Sequence, residues 1–279
     1  MKKFFLLVML CCTISPFLQS QTVADSVAIV TAKWDVTKYD EGIVCKTAVF
    51  PLYQSSQSVN IIEIDPKKGY KTDIAISRTM LPTSSIAEKR HAIAAINGSY
   101  FDMKKGNSVC YLRMGKEVID TTSVEEFAIR VTGAIMSHKG GLKIVPWSPE
   151  VEKNYRKKKC NVLASGPLML CGGRYYDWKN CEKGFIDTRH PRSAVATTFD
   201  GKIMLVAIDG RFKGKAQGMS IPELAYLVKV LGGKDALNLD GGGSTTLWIK
   251  GNIVNHPTDN GKFDHKGERG MPNILYIYR

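Results

Sequence analysis

The sequence predicts an α+β fold, built as a strand-rich mixed sheet with two or three packed helices. Three observations predict it. Short runs rich in β-branched residues recur along the chain, bounded by polar turns, as at Ile43–Leu52, Val59–Ile64 and Ile203–Ile208. Clear helix signals are few. The strands also do not alternate regularly with helices, which argues against a doubly wound α/β fold.

Taken in order, Val27–Ala32, Ile43–Leu52 and Val59–Ile64 read as strands. Thr83 or Ser84 can cap a short helix running to Lys89, and Ala92–Ile96 then reads as a fully buried strand. Further strands are expected at Ala128–Val131, Gly133–Met136 and Leu142–Val145, followed by a basic, partly helical stretch from Pro146 to Lys159. "NVLASGPLML" reads as a strand broken at Gly166-Pro167. Ser193–Phe199, a turn at Asp200-Gly201 and Ile203–Ile208 form a hairpin. The strongest helix is Ile221–Leu231: Ser220 and Glu223 form a capping box, Pro222 lies in the first turn, and Gly232-Gly233 stops it. Ala236–Leu239 is a buried strand and Ile274–Tyr278 closes the chain.

Residues 1–20 are read as a secretory signal rather than as fold. Lys2 and Lys3 precede the apolar run Phe4–Cys12, which is too short for a membrane span, and cleavage is expected after Ser20. Bulky Leu10 disfavours a lipid-anchored start at Cys11 or Cys12. No later segment approaches the roughly 20 apolar residues that a span needs. An exported chain, periplasmic or extracellular, is expected. Beyond the leader stand Cys45, Cys110, Cys160, Cys171 and Cys181, an odd set without CxxC spacing, so neither a disulfide scaffold nor a structural zinc site is expected.

The net charge of +13 suits acidic partners such as phosphorylated glycans, and it also serves solubility. The densest run, Arg156-Lys157-Lys158-Lys159, lacks interleaved aromatics and reads as a solvated helix end, so no nucleic-acid partner is expected.

Chemistry concentrates in a few motifs. In "ALNLDGGGSTTLWI" an apolar strand ends at Asp240, and Gly241, Gly242 and Gly243 allow close backbone approach. Their successive N–H groups can form an anion nest, and Ser244 and Thr245 add hydroxyl donors. A tight hairpin requires none of the apolar lead-in or the hydroxyls. "AAINGSYFD" repeats the design, with Asn97 and Ser99 as candidates for sugar contacts; an Asn-Gly turn with core aromatics is the simpler alternative. "HPRSAV" and "VAIDGR" offer Arg192 and Arg211 as forked phosphate ligands, and Asp209 as a second carboxylate at a strand end. His190 fits packing beside Pro191 better than acid catalysis. A phosphate loop fails for want of a Lys after the glycines, and neither GxSxG nor HExxH occurs. No organic cofactor is expected. A hard divalent cation held by Asp240 and Asp209 stays open.

In this order, "AINGSYFD", "ASGPLML", "HPRSAV", "IDGR" and "LNLDGGGSTTL" resemble the phosphodiester glycosidase family. The resemblance runs from about Ser84 to the C-terminus, dividing the chain into a leader (1–20), a strand-rich N-terminal segment (21–83) and a glycosidase domain (84–279). It implies removal of a sugar from a sugar-1-phosphodiester. Asp240 and Asp209 would then serve the sugar carbon, with Arg192, Arg211 and the Gly241–Thr245 loop at the phosphate. Two other classes stay open: a phosphodiesterase cleaving P–O, and a non-catalytic envelope protein that binds glycans.

Overall fold

The computed structural model describes residues 22–156 and 159–279. The expected leader, and Lys157 and Lys158 of the basic run, lie outside the described residues. Three sheets, all paired antiparallel, make up the architecture. The largest contains β1 (Asp35–Asp40), β2 (Ile43–Leu52), β3 (Ser55–Ile64), β14 (Ile203–Ile208), β13 (Arg192–Thr198), β15 (Gly233–Asn238), β11 (Leu168–Cys171) and β12 (Arg174–Tyr175), in that spatial order. A second holds β7 (Glu117–Asp120), β6 (Leu112–Met114), β10 (Asn161–Ser165), β8 (Gly133–His138) and β9 (Gly141–Pro146). The third holds β17 (Asn252–Ile253), β16 (Leu247–Ile249), β5 (Ala94–Asn97), β18 (Gly270–Tyr278) and β4 (Lys71–Pro82).

The continuous apolar run of β14 follows from this layering. Successive side chains of a strand point to opposite faces, so a strand covered on both sides is apolar throughout. Ile203, Leu205 and Ala207 join the central core with Ile96 and Leu275 of the third sheet and Leu112 and Leu163 of the second. Met204, Val206 and Ile208 pack on the other side against Leu224, Leu227 and Val228 of α6 (Ile221–Val230). The capping box of α6 forms as the sequence indicates. Ser220 Oγ accepts from Glu223 N at 3.4 Å, and Glu223 Oε2 accepts from Ser220 N at 2.9 Å. α2 (Thr83–Lys89) covers the outer face of the third sheet through Ile86 and Ala87.

The strand-rich α+β class stands, with differences in detail. Six α-helices occur among the described residues, several of them too short to show a helical period: α3 (Val124–Ile129), α4 (Pro149–Asn154) and α5 (Lys183–Asp187). Val27–Ala32 is not a strand but most of α1 (Val23–Thr31). Thr22 and Asp25 make a capping box there, and that local cap outweighs the β-branched run. Ala128–Val131 likewise is not a strand: its first two residues end α3, whose Ser123 cap accepts from Glu126 N, and Arg130 is the C-cap. The expected mixed sheet is replaced by purely antiparallel ones. β14 and β15 do run in the same direction, joined through α6, but β13 lies between them and pairs antiparallel with both.

Candidate functional site

One end of the large sheet collects the ends of several strands. β14 runs into Asp209 and β15 into Leu239-Asp240, while β13 begins at the same end with Arg192. β5 of the third sheet ends there in Asn97, because Asp240 N donates to Gly98 O at 3.0 Å and Asn97 Nδ2 to Asp240 O at 2.7 Å. Two inter-strand spacings separate the β14 and β15 ends, which puts the Asp209 and Asp240 backbones roughly 10 Å apart.

Asp240 is half-buried, and its Oδ1 accepts from Gly241 N at 2.9 Å. Burial raises its pKa to about 6; the Ser244 hydroxyl, the Arg130 charge, the Gly241 N–H and Arg269 offset part of the rise. Ser244 Oγ lies beside this carboxyl without a well-formed hydrogen bond, and the buried hydroxyls of Thr245 and Thr246 have no hydrogen-bond partner among the described residues. At neutral pH the carboxylate is therefore mostly ionised but close to its titration.

The glycine loop is shaped by its neighbours. Gly242 adopts φ 62°, the left-handed region that glycine enters freely. A Cβ on Gly242 would stand 2.8 Å from Arg211 Nη2, and one on Gly243 would stand 2.5 Å from Arg269 Nη2. The glycines thus make room for two guanidinium groups beside Asp240. Arg211 itself sits at φ 67°, a left-handed backbone uncommon outside glycine, and its side chain has no ion pair or hydrogen bond among the described residues. Arg269 pairs with Asp259, its Nε donating to Asp259 Oδ1 at 2.9 Å. Most of the backbone donors expected of an anion nest are already used. Gly241 N serves Asp240, Gly242 N donates to Pro191 O, Ser244 N to Gly241 O and Thr245 N to Gly242 O. Anion recognition here falls to side chains.

The other sequence-selected residues build the frame. Arg192 is 2% exposed, and its guanidinium donates to Met219 O (3.0 Å), Phe185 O (3.0 Å) and Thr188 O (2.8 Å). Burial pushes its pKa down to about 10, which leaves it charged at neutral pH. Those carbonyls occupy the side chain that the sequence had offered to a phosphate. Asn97 is fully buried; its Oδ1 accepts from Ser193 Oγ (2.6 Å) and Thr246 N (3.1 Å) while Nδ2 holds the Asp240 carbonyl. Ser99 is equally buried and donates to Ala164 O at 2.6 Å. The "AINGSYFD" segment thus acts on the site through the backbone it braces, including Tyr100, whose hydroxyl donates to Gly166 O at 2.6 Å and Leu239 O at 3.1 Å.

Asp209 is sealed. Its carboxylate accepts from Ser58 Oγ (2.6 Å), Asn60 Nδ2 (3.0 Å), Asn255 Nδ2 (3.2 Å), His256 N (2.7 Å) and, at 3.0 Å, the His256 Nδ1 atom. With zero exposure and these donors around both oxygens, it has no direct path to a ligand. The two carboxylates therefore do not fit a shared cation site, and no group of three or more metal-ligating side chains occurs among the described residues.

The sequence reading passed over Arg130, Arg269 and His256. Arg130 lies 3.6 Å above the centre of the Tyr100 ring and holds Glu126 through two hydrogen bonds of 2.7 Å. It fell in a segment read as a strand. Arg269 stands in "GERG" and His256 in "NHP", within irregular chain that carries no period.

The arrangement of strands recurs in solved structures, and parts of the sequence recur in known proteins. Over 251 residues the chain is 24% identical to the prophage-derived protein YomE of Bacillus subtilis, a match covering 88% of this chain and 36% of that protein. Over 75 residues it is 31% identical to N-acetylglucosamine-1-phosphodiester alpha-N-acetylglucosaminidase of Mus musculus, covering 27% of this chain and 14% of the mouse protein. The chain thus spans about a third or less of the length of these relatives. The catalytic domain of the zebrafish N-acetylglucosamine-1-phosphodiester alpha-N-acetylglucosaminidase, auto-inhibited by its pro-peptide, superposes with a TM-score of 0.64 at 20% identity, over 88% of this chain and 81% of that one. A hypothetical protein from Synechocystis superposes with a TM-score of 0.65 at 16% identity, over 88% of this chain and 63% of that one. The family model described as phosphodiester glycosidase matches residues 90–278, a span that contains Asp209, Asp240, the glycine loop and the arginines around them, and the chain belongs to that family.

Proposed function

We propose that this chain is an exported hydrolase that removes a sugar from a sugar-1-phosphodiester by breaking the bond between C1 and oxygen. The observation that carries the reading is the half-buried Asp240 carboxylate with Arg211 and Arg269 across a glycine loop that leaves room for both. Cleavage at carbon develops positive charge on the sugar ring and negative charge on the departing phosphate. Asp240, ionised at neutral pH, faces the first, as electrostatic stabiliser or as nucleophile. The arginines face the second, where a forked guanidinium matches two phosphate oxygens. In net reaction a water oxygen bonds to C1, the C1–O bond electrons leave with the phosphate monoester, and the water's second proton is released. Phosphate is a better leaving group than a sugar alkoxide, so the second carboxylate of ordinary glycosidases is not required in the cleft.

Arg192, Asn97 and Ser99 enter this reading as positioning residues, and Asp209 as a buried support. The names of the mouse and zebrafish relatives make an N-acetylglucosamine-1-phosphodiester the first compound to try. Export rests on the leader composition of residues 1–20, and no helix among the described residues is long and apolar enough to cross a membrane.

The test is hydrolysis in water labelled with heavy oxygen. Label is expected in the released sugar. Label in the phosphate would establish a phosphodiesterase instead, and binding without turnover across a panel of sugar-1-phosphodiesters would establish a glycan-binding protein.

A further inference from the structure

The His256 ring is held at Nδ1 and on both faces. Its Nδ1 lies 3.0 Å from Asp209 Oδ2, its own N–H donates to Asp209 Oδ1, and its ring is stacked between Phe263 (centroids 3.8 Å, planes 8° apart) and His265 (4.4 Å, 29°). The flanking ring of His265 is anchored in turn, its Nδ1 2.7 Å from Asn255 O. With 22% of its side chain exposed, the His256 ring keeps an accessible edge, and its Nε2 has no partner among the described residues. The carboxylate behind it is fully buried and carries three further donors, from Ser58, Asn60 and Asn255, an arrangement more elaborate than a surface ion pair needs.

The ring is tied to the chain segments that carry the site's arginines. Asn255, the preceding residue, donates to Thr245 O at 3.0 Å and accepts from Leu247 N at 2.7 Å, which fixes His256 to the glycine loop. Phe263, stacked on it, meets Phe212, the neighbour of Arg211, at 5.1 Å. Asp259, three residues on, holds Arg269 beside Gly243. His256 is therefore linked, through Phe263 and through Asp259 three residues on, to the chain segments that carry Arg211 and Arg269. It is not a remote pair.

We propose that His256, oriented by the buried Asp209, is the proton donor and binding group for the departing phosphate at the Asp240 site. The inference rests on the glycosidase reading for its reaction. Asp240 is mostly ionised at neutral pH, so the proton for the leaving group has to come chiefly from elsewhere. His190 lies near the same place, but burial and the charges of Arg192 and Arg211 lower its pKa and disfavour its charged form. His256 differs in its geometry: Nδ1 faces the Asp209 carboxylate at 3.0 Å, which leaves Nε2–H of the protonated ring as the donor toward the leaving group. In the step, the C1–O bond breaks, its electron pair stays on the phosphate oxygen, and that oxygen takes the Nε2 proton; water delivers a proton back to Nε2 after attack at C1. The Asp–His relation is the one by which a buried carboxylate fixes tautomer and orientation in hydrolase triads.

Two variants test it. Asn at 256 places an amide where Nδ1 stands and keeps the Asp209 contact, while Gln reaches toward the place of Nε2. For His256→Asn the turnover of a sugar-1-phosphodiester with a poor leaving group is expected to fall roughly 100-fold. KM should change little, and inorganic phosphate should bind several-fold more weakly. A 2,4-dinitrophenyl glycoside, whose leaving group needs no proton, should keep its rate, and His256→Gln should recover part of the phosphate affinity. Unchanged phosphodiester turnover in a folded His256→Asn protein would overturn the assignment, as would equal losses on both substrates, which mark a structural role. If the wild-type protein hydrolyses neither compound, the glycosidase reading fails by itself. Calorimetric affinity for inorganic phosphate then decides about His256, and equal affinity in wild type and His256→Asn would sink it.

Discussion

Asp209 and Asp240 look alike in sequence and have opposite surroundings. Each ends an apolar strand and each precedes glycine, in "VAIDGR" and "LNLDGGG". Asp240 emerges half-buried with a single backbone donor, Gly241 N, bound to its carboxylate, and burial raises its pKa to about 6. Asp209 has zero exposure and five donors. A carboxylate meant for chemistry is left short of hydrogen bonds, and a carboxylate meant for support is saturated with them. The contrast arises from what faces each strand end. Ser58, Asn60 and the Asn255-His256 segment close over β14, whereas a turn of residues with small side chains follows β15.

The comparison is broken most strongly at Asp240. Asp240→Asn keeps the shape and removes the charge, and turnover of a sugar-1-phosphodiester is expected to drop at least ~100-fold. The same variant should be more thermostable than wild type at pH 7.5. The reason is the sign of the shift. The folded pKa lies above the unfolded value, so ionisation opposes folding, and wild-type stability rises as pH falls from above 6 toward 4. Melting curves at pH 7.5 and near pH 4 should show the gap between wild type and Asp240→Asn closing at the lower pH. A gap independent of pH would remove Asp240 as its source.

At Asp209 the main readout is stability, with the opposite sign. Asp209→Asn turns an acceptor toward Ser58 and Asn60 into a donor, and the lost charge-assisted hydrogen bonds correspond to roughly 2–3 kcal/mol. Urea unfolding measures it; a variant as stable as wild type would mean that the buried network is not a support.

The acid limb of the rate comes next. If the ionised Asp240 acts, kcat/KM on a neutral dinitrophenyl glycoside falls as pH drops below about 6. A flat profile from pH 7 to 5 would show that ionisation of Asp240 is not required.

The arginines give the smallest and most selective contrast. Arg211→Lys keeps the charge and loses the fork, so sugar-1-phosphodiesters should lose about tenfold, within the range of one charge-assisted contact, and a neutral glycoside much less. Arg192→Lys removes carbonyl contacts from the frame, so it should lower melting temperature and affect both substrates alike. If Arg192→Lys proves selective for the phosphodiester, the roles of the two arginines are reversed.

Much of the fold was legible wherever a local rule carries the decision. The α6 capping box, the β13–β14 hairpin and the full length of β2 follow from caps, turns and β-branched runs. Segments failed where two local signals competed. In residues 23–31 the Thr22–Asp25 cap prevailed over a β-branched stretch, and β4 has exposed positions from Arg78 to Met80 that hide its course. At the site, the positions of chemistry-bearing motifs were readable because strands that deliver side chains to a sheet end must stop there, and they stop at Asn97, Asp209 and Asp240 with glycine following.

What the sequence determined by itself is the inventory: an α+β chain with a carboxylate, a glycine loop and arginines at strand ends. Periodicity, caps and breakers are properties of neighbours along the chain, so a single sequence displays them. Only the tertiary structure decided which polar groups are free. Arg192 and Arg211 are equivalent as residue types, yet one is bound by three carbonyls inside and the other stands beside Gly242 with no ion pair or hydrogen bond among the described residues. Asp209 found its partners in Ser58 and His256, about 150 residues before it and 47 after it. Desolvation and hydrogen-bond saturation are sums over such distant neighbours, and they alone separate a reactive carboxylate from a structural one.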